Sequence, residues 1–269
     1  MLCFPNCKIN LGLYITHKRD DSYHDIETVF YPVQLTDALE IIPAAQTTLH
    51  TSGIGIAGNT DDNLVYKAYK LLQSQFPDKV PSLDIYLLKA IPTGAGLGGG
   101  SADGAFMLRL INDHCKLGLD NNTLAGYALQ LGSDCPFFIY NTPQFATGRG
   151  EQMQEVDVDL SAYSIQLIYP QVHISTAQAF RSIIPTPASF DLRKLPELPL
   201  TEWKNKVSND FEAPIFSQHP ILADIKQQLY AQGAIYASMS GSGSAIYGIF
   251  EKGKKAVIIT ENVQTFYID

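Results

Sequence analysis

Five glycines within residues 92–101 constrain the fold more than any other feature of this chain. They lie in the run Pro-Thr-Gly-Ala-Gly-Leu-Gly-Gly-Gly-Ser, between a predicted strand at residues 83–88 and a predicted helix at 105–111. Glycine adopts backbone conformations that other residues avoid, and it lets amide groups approach phosphate oxygens closely. The helix, expected to start near Ala102, points its positive end at the same place. The run therefore predicts a phosphate-binding loop.

The type of loop is narrowed by what surrounds the glycines. No Lys-Ser or Lys-Thr pair follows them, so the run is not a Walker A loop. Gly94, Gly96 and Gly99 match the GxGxxG pattern, which leaves a dinucleotide site as an alternative. That pattern needs an acidic residue at the end of a second strand about 20 residues later, where residues 117–121 instead predict a turn. A second glycine segment, Ser240-Gly241-Ser242-Gly243, is expected to line the same polyphosphate site.

The length of 269 residues favours two domains, and we place the boundary at residue 155, giving domains 1–155 and 156–269. Strands are predicted at residues 9–15, 28–33, 39–42, 83–88, 163–169, 244–250 and 256–259. Helices are predicted at residues 64–72, 105–111, 124–131 and 220–231, and four prolines predict a loop at 185–199. Strands and helices mix without regular alternation, which favours an α+β fold.

Composition excludes several classes of partner. The net charge of -8 argues against nucleic acid, and no apolar run is long enough to span a membrane. The four cysteines have no zinc-site spacing and predict reduced thiols in a cytoplasmic protein.

Two charged residues suit phosphoryl transfer, which needs positive charge near the γ-phosphate and gains from a group that takes the hydroxyl proton. Asp134 follows a predicted helix end and precedes Pro136, so its carboxylate is expected at a turn. Lys8 stands before a predicted strand and is expected to pair with Asp134. Without further support, a capping aspartate and a solvated surface lysine remain the alternatives.

Residues 8–10, 92–101 and 238–244 resemble the three signature motifs of the GHMP kinases, a superfamily of small-molecule kinases. Residues 5–13, 22–24, 131–137 and 208–212 resemble one branch of it, which phosphorylates cytidine-diphosphate-linked methylerythritol. The match covers nearly the whole chain in order. Two departures are Ser22, where the branch usually has glycine, and Ala102, where some members have a second serine.

The resemblance implies an N-terminal domain like domain 2 of ribosomal protein S5, a ferredoxin-like C-terminal domain, and an active site in the cleft between them. It implies phosphorylation of the 2-hydroxyl of the substrate in the non-mevalonate isoprenoid pathway, with ATP and Mg²⁺. A monomer or weak homodimer is expected, with a small-molecule substrate as partner.

The resemblance also implies roles for individual residues. Asp134 would be the base and Lys8 its electrostatic partner. The cytosine would stack between Tyr23 and Phe180, His24 would bond its edge, and Asn10 and Thr176 would contact the substrate. The residues expected to bind ATP are Pro92, Thr93, Gly94, Ala95, Gly96, Leu97, Gly98, Gly99, Gly100, Ser101, Asn63, Leu64 and Lys89, supported by Ser240, Gly241, Ser242 and Gly243.

Three alternatives remain at this point. Another GHMP kinase would share the glycine loops but lack the cytosine reader formed by Tyr23 and His24. A nucleotide-sensing module would bind ATP without turnover, although Asp134 and Lys8 argue against it. An oxidoreductase would bind NAD at the glycine run.

Overall fold

The computed structural model describes residues 1–55, 58–181 and 183–269, and the chain divides into two compact units. The first unit contains residues 1–7, 34–93 and 98–142, and the second contains residues 8–33, 94–97 and 143–269. Each unit is built from separate stretches of chain. The domain division at residue 155 stays a prediction.

Strands and helices alternate irregularly along the described residues. The strands are β1 (Leu2–Cys3), β2 (Asn6–Lys18), β3 (His24–Thr36), β4 (Ala38–Pro43), β5 (Thr48–Gly53), β6 (Leu83–Lys89), β7 (Gln144–Thr147), β8 (Gln152–Glu155), β9 (Tyr163–Tyr169), β10 (Tyr236–Met239), β11 (Ile246–Glu251) and β12 (Gln264–Ile268). The helices are α1 (Leu64–Gln75), α2 (Gly99–His114), α3 (Asn121–Leu131), α4 (Cys135–Tyr140), α5 (Thr176–Arg181), α6 (Leu200–Lys206), α7 (Glu212–Gln218) and α8 (Pro220–Ala231). The expected mixture of helices and sheets is confirmed.

A sheet of order β1-β4-β6-β5 forms the first unit together with helices α1 to α4. Its strands pair antiparallel except β5 and β6, which are parallel. β6 alternates in burial, with Leu83, Ile85, Leu87 and Lys89 all turned inward. A lysine on this otherwise apolar face needs partners within the core, because an unpaired buried charge is very costly.

Two further sheets, of orders β2-β3-β7-β8 and β10-β11-β9-β12, belong to the second unit. Ten consecutive residues at the start of β2 are buried, including the polar Lys8 and Asn10. α8 packs against β10 and β11, and its apolar face joins the core through Leu222, Ile225 and Leu229. β2 therefore carries Lys8 and Asn10 inside the unit, where they hydrogen-bond to each other and to neighbouring residues.

The predicted strand at residues 256–259 is wrong, because the last strand is β12. The backbone of residues 256–259 bonds to glutamine side chains rather than to a neighbouring strand. Ala256 N donates to Gln166 Oε1 at 2.8 Å, and Val257 N donates to Gln232 Oε1 at 2.8 Å. The apolar, β-branched composition of residues 256–259 is typical of a strand, but bonds to glutamine side chains replace the hydrogen bonds of a sheet.

Other boundaries also differ from expectation. α2 begins at Gly99 rather than near Ala102. The proline-rich stretch contains a 3₁₀ helix at Leu192–Glu197, and α4 follows Asp134 where only a turn was predicted. None of the helices in the described residues is long and apolar enough to cross a membrane.

Candidate active-site residues

The glycine run forms a loop with repeated left-handed backbone conformations. Gly94, Gly96 and Gly98 have φ angles of 67°, 79° and 71°, a region that disfavours residues with a β-carbon. Backbone in this conformation is typical of loops that turn their amide groups toward an anion. α2 begins directly after Gly98, and the N-terminus of a helix favours negative charge.

Asp134 lies at the start of α4, close to the end of the glycine run. The thiol of the next residue, Cys135, shares a hydrogen bond with Ser101 in the first turn of α2, and α2 packs against α4. Burial raises the pKa of Cys135 to about 12, and the negative charge of Asp134 acts in the same direction. The predicted base and the last residue of the predicted loop are therefore neighbours within the first unit.

Three residues predicted to contact ATP have structural partners in the first unit. Asn63 caps α1, because its Oδ1 accepts a hydrogen bond of 2.9 Å from Val65 N. Leu64 follows it as the first residue of α1. Lys89 is 2% exposed and forms ion pairs with Asp37 and Asp103. Its contacts support an internal role, and a direct nucleotide contact for Lys89 stays a prediction.

Lys8 lies inside the second unit, next to the glycine run rather than at the surface. Its Nζ donates hydrogen bonds to Asn10 Oδ1 at 2.6 Å and to the Gly96 carbonyl oxygen at 3.0 Å. Its backbone N–H also donates to the Leu97 carbonyl oxygen at 2.9 Å. Lys8 is 4% exposed, so the ammonium group is held in position by the loop itself. Its pairing with Asp134, which belongs to the first unit, stays a prediction.

The second glycine segment, residues 240–243, contacts the glycine run at Gly96. Ser240 Oγ donates to the Gly96 carbonyl oxygen at 2.8 Å, and Gly241 and Gly243 have φ angles of 56° and 89°. Asn209 holds the segment, because its Nδ2 donates to the Met239 and Gly241 carbonyl oxygens at 2.8 and 2.9 Å. Asn209 was not among the predicted site residues, although it lies within the motif at residues 208–212.

Tyr23 is 56% exposed at the turn between β2 and β3. The residue before it, Ser22, has a φ of 68°, in the left-handed region that glycine adopts without strain. The guanidinium of Arg149 lies 5.1 Å from the centroid of the Tyr23 ring. Arg149 is not among the predicted site residues, because a cation–π contact between residues so distant in the chain leaves no local pattern in the sequence.

His24 and Phe180 stack on each other, with ring centroids 4.9 Å apart and an interplanar angle of 16°. Phe180 also packs edge-on against Phe211 at 4.9 Å. Burial lowers the pKa of His24, and the positive charge of Lys18 lowers it further. A neutral imidazole presents one donor and one acceptor, a pair that suits the edge of a nucleobase.

Thr176 completes the predicted substrate residues in the second unit. Its Oγ1 lies 3.2 Å from Ser242 Oγ, so one hydroxyl donates to the other. This bond joins the start of α5 to the second glycine segment.

Family models identify the class of protein. Residues 63–142 match the model described as GHMP kinases N terminal domain, and residues 194–269 match GHMP kinases C terminal. The chain belongs to the GHMP kinase family. Members of this family use ATP as the phosphate donor, which favours the kinase over the oxidoreductase interpretation of the glycine run.

Close relatives carry one particular name. A protein of Parabacteroides distasonis named 4-diphosphocytidyl-2-C-methyl-D-erythritol kinase is 49% identical over 252 residues, covering 94% of this chain and 92% of the relative. One of Bacteroides thetaiotaomicron with the same name is 51% identical over 255 residues, covering 93% and 92%.

Solved structures confirm the two-domain GHMP kinase fold. The crystal structure of a 4-(cytidine 5'-diphospho)-2C-methyl-D-erythritol kinase has a TM-score of 0.79 and 30% identity, covering 93% of this chain and 90% of that one. A homoserine kinase from Cytophaga hutchinsonii has a TM-score of 0.69 at 15% identity, covering 98% and 94%, and shares the fold alone.

Proposed function

We propose that this chain transfers the γ-phosphoryl group of ATP to the 2-hydroxyl of 4-diphosphocytidyl-2-C-methyl-D-erythritol, a step of the non-mevalonate isoprenoid pathway. The observation that carries the proposal is the match to relatives of that name at about half identity over 94% of the chain. The residues around Lys8 and Gly96 support it, since they offer a cation held against a phosphate-type loop.

The glycine run binds the triphosphate in this proposal. Its backbone N–H groups and the start of α2 hold the phosphate oxygens without a formal charge. Lys8 adds a positive charge that stabilises the negative charge on the phosphoryl group during transfer. Asn63 and Leu64 are assigned to the adenine side by the resemblance.

Asp134 acts on the acceptor. It takes the proton as the 2-hydroxyl oxygen bonds to the γ-phosphorus, while the bond from that phosphorus to the β-γ bridging oxygen breaks and ADP leaves. Tyr23 and Phe180 are assigned to the faces of the cytosine and His24 to its edge, so the cytosine replaces the His24 ring that stacks on Phe180 in the free protein. Asn10 and Thr176 contact the substrate.

Mg²⁺ is expected to arrive with the nucleotide. In the part of the chain that the structure describes, no three His, Cys, Asp or Glu side chains lie together in a metal-binding group. Mg²⁺ in kinase sites is commonly held by substrate phosphates and one or two protein oxygens. The hydroxyl of Ser101, at the end of the glycine run, fits that demand. When bound, the ion would neutralise phosphate charge.

The chain is expected to work as a cytoplasmic enzyme, as a monomer or weak homodimer, without nucleic acid or membrane partners. The decisive experiment measures ADP release with four acceptors: the cytidine-linked substrate, methylerythritol 4-phosphate, homoserine and mevalonate. We expect release with the first alone. Equal ADP release with methylerythritol 4-phosphate would mean that the protein does not recognise the cytidine moiety. ATP binding without ADP release would favour a nucleotide sensor.

A further inference from the structure

Asp37, Lys89 and Asp103 form a buried ionic cluster in the first unit. Their exposed fractions are 2%, 2% and 3%. Lys89 is the last residue of β6, Asp37 precedes β4, and Asp103 lies in the second turn of α2. The three residues thus join the strand before the phosphate loop to the helix after it.

Asp37 fixes the chain entering the loop. Its Oδ1 accepts hydrogen bonds from Ala90 N at 2.6 Å and Ile91 N at 2.8 Å. Its other carboxylate oxygen accepts a hydrogen bond from Lys89 Nζ. Three donors from consecutive residues therefore converge on one carboxylate, immediately before Pro92.

Lys89 fixes the chain leaving the loop. Its Nζ donates a second hydrogen bond, of 2.7 Å, to Asp103 Oδ2 on α2. A β-carbon on Gly99 would lie 3.3 Å from Lys89 Nζ and 2.8 Å from Ile91 Cγ2. The first residue of α2 thus packs directly on the cluster, and a side chain there would push the two ends of the loop apart.

The protonation of Asp103 sets the charge of the cluster. Burial raises the pKa of Asp103 to about 8, against the opposing effect of Lys89, while Asp37 raises it further. Its Oδ1 is buried without a hydrogen-bond partner among the described residues. Burial raises the pKa of the neighbouring Cys3 on β1 to about 12. The charge of Asp103 raises that pKa further, and the charge of Arg109 lowers it. With Asp103 protonated, the cluster holds one negative charge fewer than when Asp103 is ionised.

We propose that Asp37, Lys89 and Asp103 are positioning residues that clamp both ends of the phosphate loop and thereby set the affinity for ATP. The inference rests on the proposed role of the loop in ATP binding. Loss of the Asp103 proton adds a negative charge to the cluster beneath the start of α2, where a polyphosphate must bind. Affinity for ATP then falls, because like charges repel strongly in a buried environment.

The test is calorimetric binding of the non-hydrolysable β,γ-imido analogue of ATP to the full chain between pH 6.5 and 9.5. The variants are Asp103→Asn, which keeps the shape and stays neutral, and Lys89→Met, which removes the clamp. Ile111→Ala is the matched control, because Ile111 is a fully buried residue further along α2. It should destabilise the same helix without touching the loop ends.

We expect binding to the parent to weaken above pH 8, by up to about tenfold per pH unit, which is the limit for one linked proton. Asp103→Asn should bind as the parent does at pH 7 and stay constant to pH 9.5. Lys89→Met should bind about tenfold or more weakly at every pH, in the range of a lost charged hydrogen bond. Ile111→Ala should lower the melting temperature and leave the dissociation constant within about twofold, as expected for an independent site.

Three results would overturn the clamp. They are a parent affinity that does not change with pH, the same fall in Asp103→Asn as in the parent, and a folded Lys89→Met variant that binds like the parent. Gly98→Val, which alters the loop itself, separates the clamp from the proposed function. If Gly98→Val binds the ATP analogue as the parent does, the assignment of the phosphate loop is wrong. If Gly98→Val loses binding while the Asp103 and Lys89 variants bind like the parent, the loop assignment stands and only the clamp is wrong.

Discussion

The hydroxyl of Ser240 donates a 2.8 Å hydrogen bond to the carbonyl oxygen of Gly96, two residues that lie 144 positions apart in the chain. A β-carbon on Gly96 would overlap the Ser240 carbonyl group, and the φ of Gly96 is 79°. Gly96 and the second glycine segment, both in the second unit, therefore meet at a point where only glycine fits.

The first prediction follows from this contact. Gly96→Ala should weaken binding of the ATP analogue by about tenfold or more and lower stability by ~1–3 kcal/mol, because a strained φ and a backbone clash add together. Calorimetry and urea unfolding would measure the two effects. Gly126→Ala is the control, since a β-carbon at Gly126 in α3 meets nothing within 4 Å. It should keep full binding and gain up to ~1 kcal/mol of helix stability. Normal analogue binding by Gly96→Ala would contradict the close approach.

The second prediction concerns Asp134. Asp134→Asn keeps the shape of the side chain but removes its charge and basicity. Loss of a general base typically lowers kcat by about 10²–10⁴-fold, while KM for the acceptor should change little. Steady-state ADP release from the folded variant measures both. Turnover within about threefold of the parent, far below the loss expected of a base, would mean that Asp134 is not the base.

Lys8→Ala extends the same prediction. Its kcat should also fall, because the cation beside Gly96 is removed. If Asp134 and Lys8 act as one unit, the double variant should be less impaired than the product of the two single losses. Independent, multiplicative losses would show that the two residues contribute separately.

The third prediction tests the cytosine reader. Replacing Tyr23 and His24 together by Ala should raise KM for the cytidine-linked substrate by the equivalent of ~1–3 kcal/mol. The affinity for the ATP analogue should stay unchanged. His50→Ala is a matched control, because His50 stacks on Tyr86 at 4.7 Å and 16°, much as His24 stacks on Phe180. Equal weakening of both ligands by the double variant would indicate a structural role for this turn.

The fourth prediction concerns the dependence of stability on pH. The pKa of Asp103 is about 8 in the folded protein and near 3.9 when unfolded, so the folded state holds its proton more tightly. Its contribution to stability is therefore full below about pH 4 and is lost as pH rises through 8. The parent minus Asp103→Asn difference in unfolding free energy should fall across that window, by at most ~1.4 kcal/mol per pH unit. Urea unfolding of both proteins from pH 5 to 9 checks the slope. A difference that is constant or rises with pH would contradict it.

The parts of the fold that the sequence predicts well are those with strong local signals. β9 and α8 have the predicted bounds, because the apolar pattern and a first-turn proline mark them. α4 was missed since its six residues, with two adjacent phenylalanines, are too few to show helical spacing. The segment at 256–259 was misassigned because its partners are glutamines far away in the chain.

The same distinction holds for the candidate site. The glycine run and Lys8 carry a local pattern, and the structure brings Lys8 to Gly96 as a neighbour. The place of Lys89 between two carboxylates depends on long-range packing, which leaves no local pattern in the sequence. Its predicted contact with the nucleotide stays a prediction. The contact of Arg149 with Tyr23 also depends on long-range packing and could not be predicted from the sequence.

The glutamine bonds to residues 256–259 have a consequence for self-association. Val257 and Ile259 are exposed β-branched residues in a run of apolar composition, the kind of segment that recruits a matching strand from another molecule. Gln232 and Gln228 occupy the N–H groups of Val257 and Ile259, at 2.8 and 3.0 Å, and Gln232 Nε2 also donates to the Val257 carbonyl oxygen at 2.8 Å. Three backbone groups that an incoming strand would use, the N–H groups of Val257 and Ile259 and the Val257 carbonyl oxygen, are thereby already bonded. Gln228 on α8 and Gln232 just after its end thus cover part of the backbone that an incoming strand would pair with, apart from what the apolar face of α8 contributes to the core.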